Sequence, residues 1–155
     1  MKAGSLEETL KRLGLKLPPA PKPAGVYQPV VCSGGFAFLS GQISRDAGGK
    51  LVTGKVGRDL TLEEGKKAAQ FAVLQAVSLI QGAIGIERLE RVVRLTGYVQ
   101  SAGDFYAQSG VVDGASELLM EIFGEQGRHA RSAVGVSSLP LNAAVELELT
   151  LRLNP

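Results

Sequence analysis

The residues of this sequence that could do chemistry concentrate near its C-terminus, in the stretch 128–136. If this stretch is a β-strand, Arg131 shares one face with Ala133 and Gly135, because side chains alternate between the two faces of a strand. A guanidinium group beside two small residues leaves room for a small ligand, and its planar fork suits a carboxylate held by two hydrogen bonds. The pattern therefore predicts a carboxylate-binding arginine.

The same pattern is compatible with a purely structural Arg131. The arginine could form an ion pair with Glu146 or Glu148 on a neighbouring strand, on the polar face of a sheet. The small residues beside it could equally mark a place where the backbone of another subunit comes close. The sequence leaves these alternatives open.

Two further residues are candidates by type. His129 is the one histidine of the chain and lies two positions before Arg131. Imidazole titrates near neutral pH, so it could act as a general base, although a capping or surface role is commoner for such a residue. Cys32 is the one cysteine, which excludes an intrachain disulfide and a cysteine-rich zinc site and fits a reducing compartment. We predict no metal site.

The composition is typical of a folded protein with little attraction to nucleic acid. The chain has 155 residues, of which 45% are apolar and 21% charged, and 17 basic side chains against 15 acidic ones leave a formal charge of +2. This length favours one domain, 1–155, and dispersed basic residues make nucleic-acid binding an unfavoured hypothesis. The first 17 residues lack the apolar core of a signal peptide or membrane span. We therefore expect a cytoplasmic protein without membrane contact.

The N-terminus predicts a short helix followed by an extended arm. Leu6, Leu10 and Leu13 repeat at helical spacing before Gly14. Four prolines between positions 18 and 23 deny the backbone its helical angles and its hydrogen-bond donors. We expect residues 1–23 to form this helix and arm, and residues 24–155 to form the core.

The first half of the core predicts a hairpin and a long helix. Ser33-Gly34-Gly35 separates two short apolar runs within 26–40, and its glycines can adopt the positive φ angles of a tight turn. Residues 50–57 suggest another short strand. Thr61 and Glu64 form a capping box before a largely apolar helix face that extends to about Gly82.

The second half of the core predicts a strand, a helix and two strands. In 90–100, Val93, Leu95 and Val99 should face the core. The stretch 104–123 is helical in its later part, while Gly110 and Gly114 leave its start open. Strands follow at 131–136 and 144–153, and the last one alternates cleanly. This order indicates an α+β fold, in which two main helices cover one face of a mixed sheet.

Motifs at both ends of the core carry a family resemblance. They are Gly25-x-Tyr27, Ser40-Gly41-Gln42, Arg131-Ser132-x-Val134-x-Val136, Leu139-Pro140 and Ala143-x-Val145-Glu146-x-Glu148. In this order they resemble the signature of the reactive intermediate deaminase (Rid/YjgF) family, also described as L-PSP endoribonuclease-like. The resemblance runs from about residue 24 to the end, and the long middle of the chain resembles a longer branch of that family.

The resemblance implies a chorismate-mutase-like homotrimer with sites in clefts between subunits and no metal or organic cofactor. It also implies hydrolysis of enamine or imine acids, such as 2-iminobutanoate and 2-iminopropanoate, to keto acids and ammonia. In that scheme Arg131 would hold the substrate carboxylate, Glu146 would orient or activate water, and Tyr27 would line the cleft. A protonated imine is a good electrophile, so positioning and one general base suffice.

The remaining site residues implied by the resemblance are Ser40, Gly41, Ala133 and Asp113, all as substrate-binding positions. Three of the motif positions depart from the family: Val26 replaces a proline, Ala133 a cysteine and Asp113 an asparagine. An acidic side chain near the cleft would repel a carboxylate ligand. Two alternatives therefore stand beside the deaminase: a non-catalytic trimer that binds a small carboxylate metabolite, and an endoribonuclease.

Overall fold

The computed structural model describes residues 3–22 and 25–155, which form an α+β fold with one five-stranded mixed sheet. The helices are α1 (Ala3–Arg12), α2 (Leu62–Ala83) and α3 (Gln108–Phe123). The strands are β1 (Val30–Ser33), β2 (Phe36–Ile43), β3 (Leu89–Gln100), β4 (Ala130–Val136) and β5 (Val145–Leu153). Their order in the sheet is β1-β2-β5-β3-β4; β3 and β4 run parallel and the other pairs antiparallel. The predicted fold class is confirmed.

The predicted hairpin is present and turns where the glycines predicted it. Gly34 and Gly35 adopt φ angles of 58° and 78°, and Ser33 pairs with Phe36 across the turn. Two consecutive positive φ angles match the right-handed twist of the strands, and glycine adopts them without steric cost. The turn therefore fixes the register of β1 on β2.

Helix α2 begins at the predicted capping box. The Thr61 hydroxyl accepts the Glu64 N–H at 3.2 Å, and the Glu64 carboxylate accepts the Thr61 N–H at 2.7 Å. These bonds satisfy two backbone donors that the first turn leaves free. Helix α3 packs closely against α2, since a Cβ atom at Gly114 would lie 2.5 Å from the Lys66 carbonyl oxygen. Gly114, which left the start of α3 uncertain in the sequence, thus lies inside the helix and allows its close packing on α2.

Two sequence predictions are wrong in detail. Residues 50–57 form only isolated bridges, for example between Thr53 and Ala143, and not a strand. In β3, Val92 is fully buried in place of Val93, because the pairing with β5 shifts register between Val92 and Arg94. Such a shift moves the inward face by one residue.

The predicted N-terminal helix and arm both pack on the helical layer. Leu6 and Leu10 of α1 are buried in the core. Farther along, the Ser78 hydroxyl of α2 donates a 2.6 Å hydrogen bond to the Pro18 carbonyl. This bond ties the extended arm to α2. None of the helices among the described residues combines the length and apolar character needed to cross a membrane.

The sheet has two different faces. Val145, Leu147, Leu149, Leu151 and Leu153 of β5 are buried on the face that α2 and α3 cover, as the alternation predicted. The opposite face carries polar side chains together with Phe38 and Val134, which are 47% and 43% exposed. We call this second surface the open face of the sheet.

Candidate functional site

A pocket of about 360 Å³ opens where β2 and β5 meet the N-terminal arm. Three of the residues predicted for the site line it: Tyr27, Gly41 and Glu146. The pocket lining also includes Lys22, Gln42, Arg45 and Gln75. Its volume suits a small metabolite.

Gly41 and Glu146 are in direct contact at an irregularity of the sheet. The register of β2 on β5 shifts between Leu39 and Gln42, and Ile43 then pairs with Glu146. A Cβ atom at Gly41 would collide with the Glu146 carboxylate. The bulge and the missing side chain therefore make the space that the carboxylate occupies.

Partial burial changes the acidity of Glu146. It raises the pKa of this carboxyl above the usual 4.5, and the negative charge of Glu148 raises it further. A carboxylate whose pKa is moved towards neutrality accepts a proton more readily than an ordinary glutamate does. Glu146 can therefore act as a general base inside the pocket.

Ser40 holds the segment that carries Tyr27. Its hydroxyl donates to the Gln28 carbonyl at 2.7 Å, and its N–H donates to the Pro29 carbonyl at 2.9 Å. Ser40 does not itself line the pocket. It was predicted as a substrate-binding residue, and its contacts within the chain position Tyr27.

Two buried glutamines shape the pocket and escaped the sequence prediction of the site. The Gln75 amide, on a residue only 4% exposed, donates to the Arg45 carbonyl at 3.4 Å. The Gln42 amide donates to the Ser40 carbonyl at 2.9 Å. A buried amide needs such hydrogen-bond partners. A glutamine on the otherwise apolar face of α2 was therefore the feature of the sequence that indicated a polar site beside this helix.

Arg131 lies away from this pocket, on the edge strand β4. Its guanidinium donates to the Asp113 carboxylate at 2.8 Å and to the hydroxyls of Ser116 at 3.1 Å and Ser109 at 2.7 Å. All three partners belong to α3. The alternative that Arg131 forms an ion pair with Glu146 or Glu148 is therefore wrong. Its partner is Asp113, and the ion pair neutralises the Asp113 carboxylate.

The sheet register explains why Arg131 and Glu146 are apart. Arg131 pairs with Leu95 of β3, which is buried under the helices, whereas Glu146 pairs with Tyr98 of the same strand. Positions three apart point to opposite faces of a strand. Within one chain, the arginine thus faces the helices and the glutamate faces the open face.

The small residues beside Arg131 accommodate α3. Ala133 pairs with Gly97, where a Cβ atom would lie 2.6 Å from the Val112 side chain. A Cβ atom at Gly135 would lie 2.6 Å from the Gln108 amide nitrogen. The room that the sequence pattern assigned to a ligand is occupied, within one chain, by this helix.

His129 lies directly before β4 and outside the pocket, and it links Gly127 to α3. One ring nitrogen, Nδ1, lies 2.6 Å from the Gly127 carbonyl and the other, Nε2, lies 3.0 Å from the Ser116 hydroxyl. A carbonyl only accepts, so Nδ1 carries the proton and Nε2 accepts from Ser116. Burial lowers the pKa of His129 below 6.5, and the nearby Arg131 charge lowers it further, whereas the hydrogen bond to Gly127 opposes both. His129 is a neutral structural bridge.

Acidic and other metal-binding side chains are dispersed. Across residues 3–22 and 25–155, no three His, Cys, Asp or Glu side chains are grouped so that they could hold a metal ion. Cys32 is free and exposed on β1. The pocket offers a carboxylate, a phenol, amides and two cationic side chains.

Comparison with known proteins places this geometry in a family. Residues 7–152 match the profile of the family described as "YjgF/chorismate_mutase-like, putative endoribonuclease". Protein TCP17 of Trypanosoma cruzi is 46% identical over 98% of this chain and 96% of its own length. A 2-iminobutanoate/2-iminopropanoate deaminase of Dermatophagoides farinae is 34% identical over 86% of this chain and 91% of its own. The crystal structure of Atu1372 from Agrobacterium tumefaciens, a protein of unknown function, superimposes with a TM-score of 0.89 at 37% identity, covering 97% of this chain and 95% of that one.

Proposed function

The chain belongs to the Rid/YjgF (YjgF/chorismate-mutase-like) family, and from this premise we propose that it hydrolyses small imino or enamino acids to keto acids and ammonia. One observation carries the proposal. Glu146, with its raised pKa, faces a metabolite-sized pocket beside Tyr27 and Gly41. A relative that covers most of the chain is named for this activity.

The proposed reaction needs one group that moves protons. Glu146 accepts a proton from water as the water oxygen forms a bond to the imine carbon. The C=N double bond becomes a single bond, and its electron pair stays on nitrogen. Glu146 then returns the proton to nitrogen and accepts the proton of the new hydroxyl group as the C–N bond breaks, so that ammonia leaves and the C=O double bond of the keto acid forms. The released ammonia takes this last proton and leaves Glu146 ionised again. Tyr27 lines the pocket beside this reacting centre.

Arg131 is proposed as the clamp for the substrate carboxylate, supplied by an adjacent subunit of a homotrimer. It lies on β4 at one edge of the sheet, and within its own chain it faces away from Glu146. A copy of the chain that brings its β4 edge to this pocket would complete the site. The substrate carboxylate would then compete with Asp113 for the guanidinium group.

The test is ammonia release from 2-iminopropanoate and 2-iminobutanoate generated in the assay by an amino-acid oxidase. We expect Glu146→Gln and Arg131→Ala to lower the rate by roughly 10²–10⁴-fold, the usual effect of removing a proton-transfer group or a positioning clamp. Glu121→Gln is the control, since Glu121 is an exposed carboxylate of α3 that does not line the pocket and does not contribute to the pKa of Glu146. A wild-type protein that does not accelerate the release would overturn the proposal.

Mixing variants tests the shared site separately. Glu146→Gln and Arg131→Ala subunits, unfolded together and refolded, should regain part of the activity, because some interfaces would combine an intact Glu146 with an intact Arg131. A site contained within one chain would gain nothing from mixing. Sedimentation of each variant would establish that both assemble as the wild type does.

A non-catalytic carboxylate-binding trimer is the second candidate. The observation that favours it is that the Arg131 guanidinium already donates hydrogen bonds to Asp113, Ser109 and Ser116 of its own chain. These bonds hold the side chain against α3 when no substrate is bound. Thermal stabilisation by 2-oxobutanoate, with no imine turnover, would support this alternative. RNA cleavage has weaker support, because His129 is neutral, bonded at both nitrogens and outside the pocket.

A further inference from the structure

The pocket contains two cations beside Glu146. Lys22 comes from the N-terminal arm, and Arg45 follows directly after β2 and Ser44. Together with Glu146 they are the charged side chains among the residues that line this pocket. The pocket therefore has an excess of positive charge before any ligand enters.

Neither cation is neutralised by an acidic side chain in the part of the chain that the structure describes. The salt bridges there join Arg58 to Asp59, Arg128 to Glu125, Arg131 to Asp113 and Arg152 to Glu90. Arg45 donates through Nη1 to the Gly49 carbonyl at 3.0 Å, which leaves its charge uncompensated. The neighbouring Asp46 does not form a salt bridge with Arg45. The Asp46 carboxylate instead accepts hydrogen bonds from the N–H groups of Gly48 and Lys50.

The arm that supplies Lys22 is fixed in place. Besides the hydrogen bond from Ser78 to Pro18, Ala20 lies against α2, where a Cβ atom at Gly82 would be 3.5 Å from the Ala20 Cβ. Pro21 and Lys22 then reach the wall of the pocket. The arm precedes the motifs quoted above and lies within the stretch that matches the family profile. It forms one wall of this pocket.

We propose that the pocket selects imino acids that carry a second carboxylate, and that Lys22 and Arg45 hold this distal group. The proposal rests on the proposed function, in which Arg131 of an adjacent subunit holds the carboxylate next to the imine carbon and Glu146 transfers protons at that carbon. A substrate with an uncharged side chain would leave the excess positive charge of the pocket uncompensated, because the ionised Glu146 balances only one of the two cations, whereas the distal carboxylate of an imino diacid compensates it.

The experiment compares 2-iminoglutarate with 2-iminobutanoate, both generated by an amino-acid oxidase, on the full chain. We expect the wild type to show a kcat/KM at least about tenfold higher for 2-iminoglutarate, since a charge-assisted hydrogen bond changes affinity by roughly ten- to a hundredfold. Lys22→Met and Arg45→Met should each remove this preference, because they should lower the kcat/KM for 2-iminoglutarate by about tenfold or more relative to that for 2-iminobutanoate. Lys50→Met is the control, because it deletes an exposed cation near Arg45 that does not line the pocket.

The outcomes separate this inference from the proposed function. Turnover of 2-iminobutanoate without preference for 2-iminoglutarate, or a preference that survives both substitutions, refutes the inference alone. Equal loss of both activities in Arg45→Met would make Arg45 the clamp for the first carboxylate and also refutes it. If neither imine is hydrolysed, the proposed function fails, and the inference is then tested by the rise in melting temperature that 2-oxoglutarate and 2-oxobutanoate cause. A larger rise with 2-oxoglutarate that Lys22→Met abolishes supports the inference. Equal rises with the two ligands refute it.

Discussion

Replacing Asp113 with asparagine should tighten the binding of a carboxylate substrate while it weakens the fold slightly. Asp113 and a substrate carboxylate compete for the same guanidinium group if Arg131 is the clamp. Asparagine keeps an oxygen that can accept the hydrogen bond from Arg131, but it removes the negative charge. Asparagine is also the residue that the resemblance expects at this position.

The size of the effect follows from the geometry of the pair. The Arg131 nitrogen and the Asp113 oxygen are 2.8 Å apart, and the two side chains are 22% and 47% exposed. A partly exposed ion pair of this kind contributes at most about 1 kcal/mol, because solvent screens it. Relief of that competition corresponds to a KM that is lower by up to about fivefold, and the free energy of unfolding should fall by no more than about 1 kcal/mol.

Steady-state ammonia release gives KM and kcat, and denaturant unfolding gives the stability of the same preparation. Glu125→Gln is the matched control: it removes an arginine–carboxylate pair of 2.9 Å, with Arg128, on the protein surface. We expect this control to leave KM unchanged. A KM that is unchanged or higher in Asp113→Asn would show that Asp113 does not compete with the substrate, and would refute the assignment of Arg131 as clamp.

Three other predictions concern the pocket and the histidine bridge. Gly41→Ala should lower kcat about tenfold or more with little change in thermal stability, since the new Cβ atom displaces only the flexible end of the Glu146 side chain. Gly103→Ala is the control, because a Cβ atom there meets no atom within 4 Å. A Gly41→Ala variant with wild-type kcat would contradict the role of this contact. The kcat/KM should rise with pH through a midpoint above 4.5, because the ionised form of Glu146 is the base and its pKa is raised; a midpoint at or below 4.5 would argue against Glu146. Stability should fall as pH drops through about 6.5, since the folded protein binds the His129 proton less well than the unfolded chain does, and denaturant titrations at several pH values should show a smaller fall in His129→Gln.

Local chemistry determined much of the fold from the sequence. Three features depend only on residues a few positions apart in the chain, so the sequence predicts them directly. They are the Thr61–Glu64 capping box, the Gly34–Gly35 turn and the alternation of β5. The family motifs identified Glu146, Tyr27 and Gly41, which the structure brings to one pocket. The roles of these residues in catalysis remain predictions.

The tertiary structure alone decided the partners of the charged side chains. The sheet order places β3 between β4 and β5, which puts Arg131 against Asp113 of α3 and removes Glu146 from its reach. It also brings Lys22 and Arg45 to the same pocket, although they are 23 positions apart in the chain. Periodicity in one strand indicates which residues share a face, but not which strand lies beside it or which helix covers it. Those neighbours are chosen by long-range packing of the whole chain, and they determine which charges can meet.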